Sequence, residues 1–251
     1  MKPTKLITRR RAIITGLAAA GGLVVTRDWK HLPPTYGNLL RIGDNLTYAA
    51  IRALPKPSLV KEYSRADISS FPAINTTDPG TIAGSTLGDA YRRLRGGAFA
   101  EWRLSVEGRV ATPRTFSLDE LKHLPSRTQI TRHVCEEGWS AIAEWTGTPL
   151  TLVLEGAGIL PTARFVLFYS YDDWFESIDM LDALHPQTIL AYNMNGRDLP
   201  IPHGAPVRLR VETQLGQKSI KYLQRIVVTD EFDDGGEKGS IQNGWAWYMG
   251  I

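Results

Sequence analysis

The chain has 251 residues, 43% of them hydrophobic, and a formal charge of +3. Five basic groups and no acidic one lie in the first eleven residues; without them the charge is −2, so no basic surface for nucleic acid is expected. There is no repeat, heptad run or low-complexity tract, and the length suits one large domain or two small ones.

The N-terminus reads Thr8-Arg9-Arg10-Arg11, followed by a mildly apolar run from Ile13 to Val25. Thirteen residues are short for a membrane span, which needs roughly 20. Paired arginines before such a run predict a twin-arginine export signal over residues 1–26, or an N-terminal anchor if it is not cleaved. The expected compartment is the periplasm.

Residues 27–70, punctuated by Pro33-Pro34, Pro55 and Pro57, read as an extended lead-in with one helix over 39–53. Residues 71–75 are extended, and 87–94 form a short helix stopped by Gly96-Gly97. From Trp102 onward the texture becomes β. Residues 102–108 alternate with period two, and Ser117-Leu118-Asp119-Glu120 carries a capping box that opens a brief helix. Residues 129–135 alternate again, 150–157 read as a helix ending at Gly158, and 165–171 form an apolar strand. A short element over 177–183 follows, then a strand over 188–194 leading into the turn pair Asn195-Gly196. Strands over 207–211 and 222–229 complete an α+β, strand-dominated domain over 71–251.

Cys135 is the single cysteine, in Arg132-His133-Val134-Cys135-Glu136-Glu137-Gly138-Trp139-Ser140. An exported chain with one thiol has no internal disulfide partner for it. Arg132 and His133 just upstream are groups that favour the thiolate, the form that attacks carbon or binds metal. On the residue alone, a buried thiol acting as a small hydrophobe is the leading reading, ahead of metal ligand or nucleophile.

Further segments stand out: Trp145-Thr146-Gly147-Thr148-Pro149-Leu150, His203-Gly204-Ala205-Pro206-Val207-Arg208, and Lys218-Ser219-Ile220-Lys221. In this order with Cys135-x-x-Gly138-Trp139-Ser140, they resemble the sulfite oxidase superfamily of molybdenum-pterin enzymes. The likeness runs from about Phe71 to Ile251 and implies a sulfite-oxidase-type molybdopterin-binding fold.

The resemblance implies a molybdenum–molybdopterin cofactor with Cys135 as the protein's sulfur ligand to the metal. His203 and Arg208 match positions that hold the pterin and its phosphate; a guanidinium grips phosphate oxygens as a fork. Ser219, Ile220 and Lys221 match a second cofactor contact. Asn75 matches an N-terminal pterin contact, and Ser170 and Asp172 fall where relatives place one polar contact. Tyr248, in the closing Tyr-x-Gly segment, is expected to face the metal, and Arg132 is the basic candidate beside it.

The implied activity is oxygen-atom transfer on a small sulfur- or nitrogen-oxide type substrate, either sulfite dehydrogenase-like or sulfoxide reductase-like. Sulfite oxidases of the eukaryotic type surround their anion with arginines, whereas here Glu136 and Glu137 follow the cysteine. No Cys-x-x-Cys-His haem site occurs, so electrons are expected from a separate protein, a membrane haem protein or a soluble cytochrome. A monomer is expected. The alternatives are a non-catalytic molybdopterin-binding module of a membrane complex, and a cysteine hydrolase pairing Cys135 with His133 or His203.

Overall fold

The computed structural model describes residues 39–53, 59–233, 238–241 and 243–251. The expected signal lies outside them. The chain divides into two units, residues 1–57 and 58–251. In the first, the expected helix is present as α1 (Leu39–Arg52), with Arg52 in its last turn, where a cation complements the helix dipole. The predicted lead-in, 27–70, spans both units. Its later part belongs to the second, where Glu62 bridges Thr131 and Tyr63 N donates to Ile130 O at 2.8 Å.

The second unit holds two five-stranded sheets. The first runs in the order β2 (Arg114–Ser117), β1 (Arg103–Gly108), β10 (Leu223–Thr229), β5 (Phe165–Ser170), β6 (Phe175–Asp179). Its pairs are antiparallel except β1 with β10. The second sheet runs β3 (Arg127–Val134), β4 (Ser140–Pro149), β7 (Ile189–Met194), β8 (Arg197–Asp198), with β9 (Arg208–Arg210) also paired to β7.

Inward-facing Leu104, Val106, Phe168, Ile226 and Val228 of the first sheet share one core with Leu150, Val153 and Leu154 of the helix Leu150–Ala157. Each such side chain, fully buried, contributes about 1.5–3 kcal/mol. The polar ends of core aromatics are satisfied: Trp102 Nε1 donates to Leu223 O (3.1 Å) and Tyr91 OH to Ala205 O (2.8 Å). A smaller cluster, including Ala143, Trp145, Ile189 and Met194, has Phe71 packed against it.

Local signals behave as the sequence predicts. Ser117 and Glu120 close the capping box of the helix Leu118–His123, and the helix Leu150–Ala157 stops at Gly158. Asn195 (φ 51°) and Gly196 (φ 74°) make the β7–β8 turn. The element expected over 177–183 is two: β6 ends at Asp179, whose carboxylate accepts from Asp182 N (2.9 Å) and starts the short helix Met180–Ala183. The strands β2, β4 and the two-residue β8 are additions to the predicted set. Residues 71–75 lie outside regular elements, with Asn75 at φ 56°.

Candidate active site

A cavity of about 570 Å³ opens beside the second sheet, and most of the predicted residues line it. Cys135 follows the last residue of β3 and is 3% exposed. A tight turn holds it: Cys135 N donates to Trp139 O (2.9 Å), and Gly138 N to Cys135 O (3.1 Å). Glu137 N lies 3.5 Å from Sγ and Glu136 Oε2 3.6 Å from it. Burial pushes the thiol up to about 11; the Glu137 N–H opposes this, and the two neighbouring carboxylates add to it.

The expectation that Arg132 and His133 favour the thiolate is corrected here. Arg132 is three residues from Cys135, so the two-residue period of β3 turns it to the opposite face. It is exposed, its guanidinium sits 5.2 Å from the Tyr63 ring centroid, and it does not line the cavity. His133 does line it, but burial, then Arg210 and Arg208, push its imidazole down to about 2. A ring this weakly basic neither stabilises a thiolate by charge nor keeps a proton taken from the thiol, which weighs against the hydrolase pairing with His133. Without a metal Cys135 stays a thiol; a bound metal would displace the proton.

The Ile201–His203 turn and β9 place His203 and Arg208 on the cavity. Arg208 is 4% exposed. It donates through Nη1 to His203 O (3.0 Å) and through Nη2 to Ser219 O (2.6 Å), while its buried Nε has no partner among the described residues. Burial first, then Arg210, draws this guanidinium down to about 9, so it is still charged at neutral pH. Burial, with Arg208 and Lys221, lowers His203 to about 4, so it is neutral there.

Lys221 lines the cavity and donates to the carbonyls of Ile74 (2.9 Å), Thr76 and Pro202 (3.3 Å). Burial and Arg208 lower it to about 8. It therefore ties the Asn75 segment to the site while lining the cavity where the second cofactor contact is expected. Ser219 and Ile220 also line the cavity; Ser219 Oγ accepts from Val211 N (3.1 Å) and Ile220 O from Leu209 N (2.9 Å). Asn75 and Asp172 are there too, and burial raises the Asp172 carboxyl.

Ser170 and Tyr248, both expected at the site, are not among the residues lining the cavity. Ser170, the last residue of β5, is buried; its hydroxyl donates to the Asp172 carboxylate and accepts from Trp174 N (3.0 Å). Tyr248 is 6% exposed and off the cavity; the C-terminal segment reaches it through Asn243 and Trp245. Trp247 Nε1 donates to Ser177 Oγ (2.8 Å), which anchors the chain next to Tyr248. Lining residues absent from the predicted set include Phe71, Trp139, Trp174 and Gln217. Single aromatics in polar segments carry no local signal of a shared cavity.

The fit to the expected cofactor is good. One thiol able to bind soft metal shares a cavity with a buried guanidinium that has an unused N–H, and with a neutral imidazole.

Comparison with known proteins agrees. Residues 95–236 match the family described as "Oxidoreductase molybdopterin binding domain". A protein of Azospira oryzae, provisionally named protein-methionine-sulfoxide reductase subunit YedZ1, is 43% identical over 151 residues, 60% of this chain and 56% of that one. The protein-methionine-sulfoxide reductase catalytic subunit MsrP of Burkholderia mallei is 30% identical over 246 residues, 91% of this chain and 71% of the relative. This chain thus spans little more than half of the first relative's length. The sulfane dehydrogenase SoxCD of Paracoccus pantotrophus shares the fold, with TM-score 0.50 and 24% identity over 53% of this chain and 39% of its own. The family match, the long alignment to a relative and the cavity around Cys135 together make this chain a member of the oxidoreductase molybdopterin-binding domain family, in the sulfite oxidase superfamily.

Proposed function

We propose that this chain is an exported molybdenum oxidoreductase that reduces the S-oxide of a small thioether or a methionine side chain. The observation that carries this is one cavity holding both the Cys135 thiol and the buried Arg208 guanidinium with an unpartnered Nε. Cys135 would bind the metal. Arg208 and His203 would hold the pterin and its phosphate, and Asn75, Asp172, Ser219, Ile220 and Lys221 would shape the rest of the pocket. The bound group supplies two-electron oxygen-atom transfer at molybdenum.

In the net reaction the S=O bond breaks, the sulfur is reduced, and the oxygen leaves as water after taking two protons and two electrons. The electrons come from a separate electron-transfer protein, for which a membrane haem protein is the best candidate. The choice of S-oxide over sulfite rests on charge: Glu136 and Glu137 line the cavity and would repel a sulfite anion, while a sulfoxide is neutral. Phe71, Trp139, Trp174 and Trp245 offer ring surfaces suited to a thioether sulfur. The names of the relatives point the same way. Export rests on the Arg9-Arg10 segment.

The test is purification of the matured chain, metal and pterin analysis, and a screen of S-oxides, N-oxides and sulfite with a dye electron donor or acceptor. Reduction of S-oxides by molybdenum-loaded wild type, lost in Cys135→Ser together with the metal, is the expected result. Molybdenum without turnover on any substrate points to a binding module instead. Protein containing neither molybdenum nor pterin ends the reading.

A further inference from the structure

His133 has no place in the reading so far, yet it is 7% exposed, lines the cavity, and lies two residues before Cys135 on the same face of β3. Arg210 Nη1 is 2.8 Å from its Nδ1. A guanidinium has donors only, so Nδ1 must be the acceptor in this bond. A neutral imidazole accepting at Nδ1 carries its proton on Nε2. The tautomer is thus set by Arg210.

Arg210 is itself held in one orientation. It is 1% exposed and makes a two-pronged bond to Glu212, Nε to Oε1 at 3.0 Å and Nη2 to Oε2 at 2.8 Å. Gln129 Nε2 donates to the same Glu212 oxygen at 3.1 Å. The Arg210 guanidinium also stacks 4.5 Å from the Trp145 ring centroid. The other side of the imidazole is shaped as well. Phe71 and Trp139 pack on it with centroids at 5.0 and 5.5 Å, and a Cβ on Gly216 would fall 2.5 Å from its Nε2. Only a glycine leaves that nitrogen room. Among the described residues the ring's hydrogen bond is the one at Nδ1.

We infer that His133 is a cofactor-binding residue whose Nε2–H donates to an oxygen or nitrogen acceptor of the molybdenum-pterin group, and that Arg210 is the positioning residue that keeps the donor on that nitrogen. This rests on the cofactor reading above.

Two measurements test it. In the oxidised, cofactor-loaded chain labelled with 15N-histidine, the His133 signals are identified by their loss in His133→Gln. They should report a protonated Nε2 and a bare Nδ1. An Nδ1–H tautomer in the wild type overturns the inference whatever the variants retain. The second measurement is loss of molybdenum and pterin during dialysis against a chelator. His133→Asn keeps an acceptor for Arg210 but is too short to present a donor to the cavity, and should lose cofactor about tenfold faster. His133→Gln places an amide N–H near the position of Nε2 and should stay within about twofold of wild type. Equal retention by His133→Asn and wild type overturns the inference while leaving the cofactor reading intact. His133→Gln failing as badly as His133→Asn also overturns it, because ring packing would then be the cause. Wild type that never holds molybdenum overturns both.

Discussion

The ammonium of Lys221 bonds the backbone carbonyl of Ile74 at 2.9 Å, joining segments 147 residues apart. The same Nζ reaches Thr76 O and Pro202 O, and the neighbouring Tyr222 OH donates to Thr76 O at 2.9 Å. The strap that carries Phe71 and Asn75 past the cavity is therefore pinned from the Lys-Ser-x-Lys segment. Lys221→Met removes the pin and leaves the Ile74 and Pro202 carbonyls short of a donor, while Thr76 O keeps Tyr222 OH. Stability should fall by about 1–3 kcal/mol in urea unfolding. Amide exchange should accelerate at residues 71–76 and not in β5 or β10. Unchanged exchange in the strap would show that Tyr222 and packing suffice.

His203 gives the fold a dependence on acid. In the unfolded chain its ring protonates near pH 6.5; in the fold, burial and the nearby Arg208 and Lys221 delay that to about 4. The unfolded state therefore takes the proton first. The stability from neutral His203 is complete above pH 6.5 and is lost as pH falls towards about 4. Urea midpoints of wild type should drop across this window more steeply than those of His203→Asn. Parallel curves would contradict the assignment.

Lys218 and Glu176 form a buried pair at 2.6 Å, 0% and 2% exposed at the side chain, with the Lys218 ammonium 5.4 Å from the Trp247 ring centroid. Burial raises the Glu176 carboxyl, and Lys218 counters that rise. Lys218→Met leaves a buried carboxylate alone and should cost about 3–5 kcal/mol. The double variant Lys218→Met/Glu176→Gln should recover most of the loss, as a neutral pair needs no counter-charge. Equal losses in both, by urea unfolding, would mean the Lys stem matters more than its charge.

Glu136 and Glu137 line the cavity, so they should set the charge of what enters. Glu137→Gln should raise kcat/KM for sulfite relative to a neutral S-oxide on the order of tenfold, and lowering the salt should widen the wild-type preference. Ratios that do not move place the carboxylates outside the path of the substrate.

Much of the fold was legible because its signals are local. A capping box needs three residues, an Asn-Gly turn needs two, and the helix Leu150–Ala157 carries its own apolar face and stop. The strand β4 was not legible, because Gly147 and Pro149 punctuate it. Gly147 is there for β7: a Cβ on it would sit 2.3 Å from Leu190 O, at the point where the β4–β7 register shifts. The misplacement of Arg132 was avoidable, since a strand of period two cannot turn residues 132 and 135 to one face.

By itself, the sequence determined the family and the chemical inventory of the site. The Cys, His-Gly-Ala-Pro-x-Arg and Lys-Ser-x-Lys segments depend on side-chain identity and order, which need no coordinates. Tertiary structure alone decided what each group is. It raises the proton affinity of the metal-free Cys135 thiol, turns Arg132 off the cavity, ties Lys221 to the strap, and orients the His133 proton through Arg210, 77 residues along the chain. Proton affinity and donor direction depend on burial and on charges within a few ångströms, and folding brings those neighbours from distant parts of the chain.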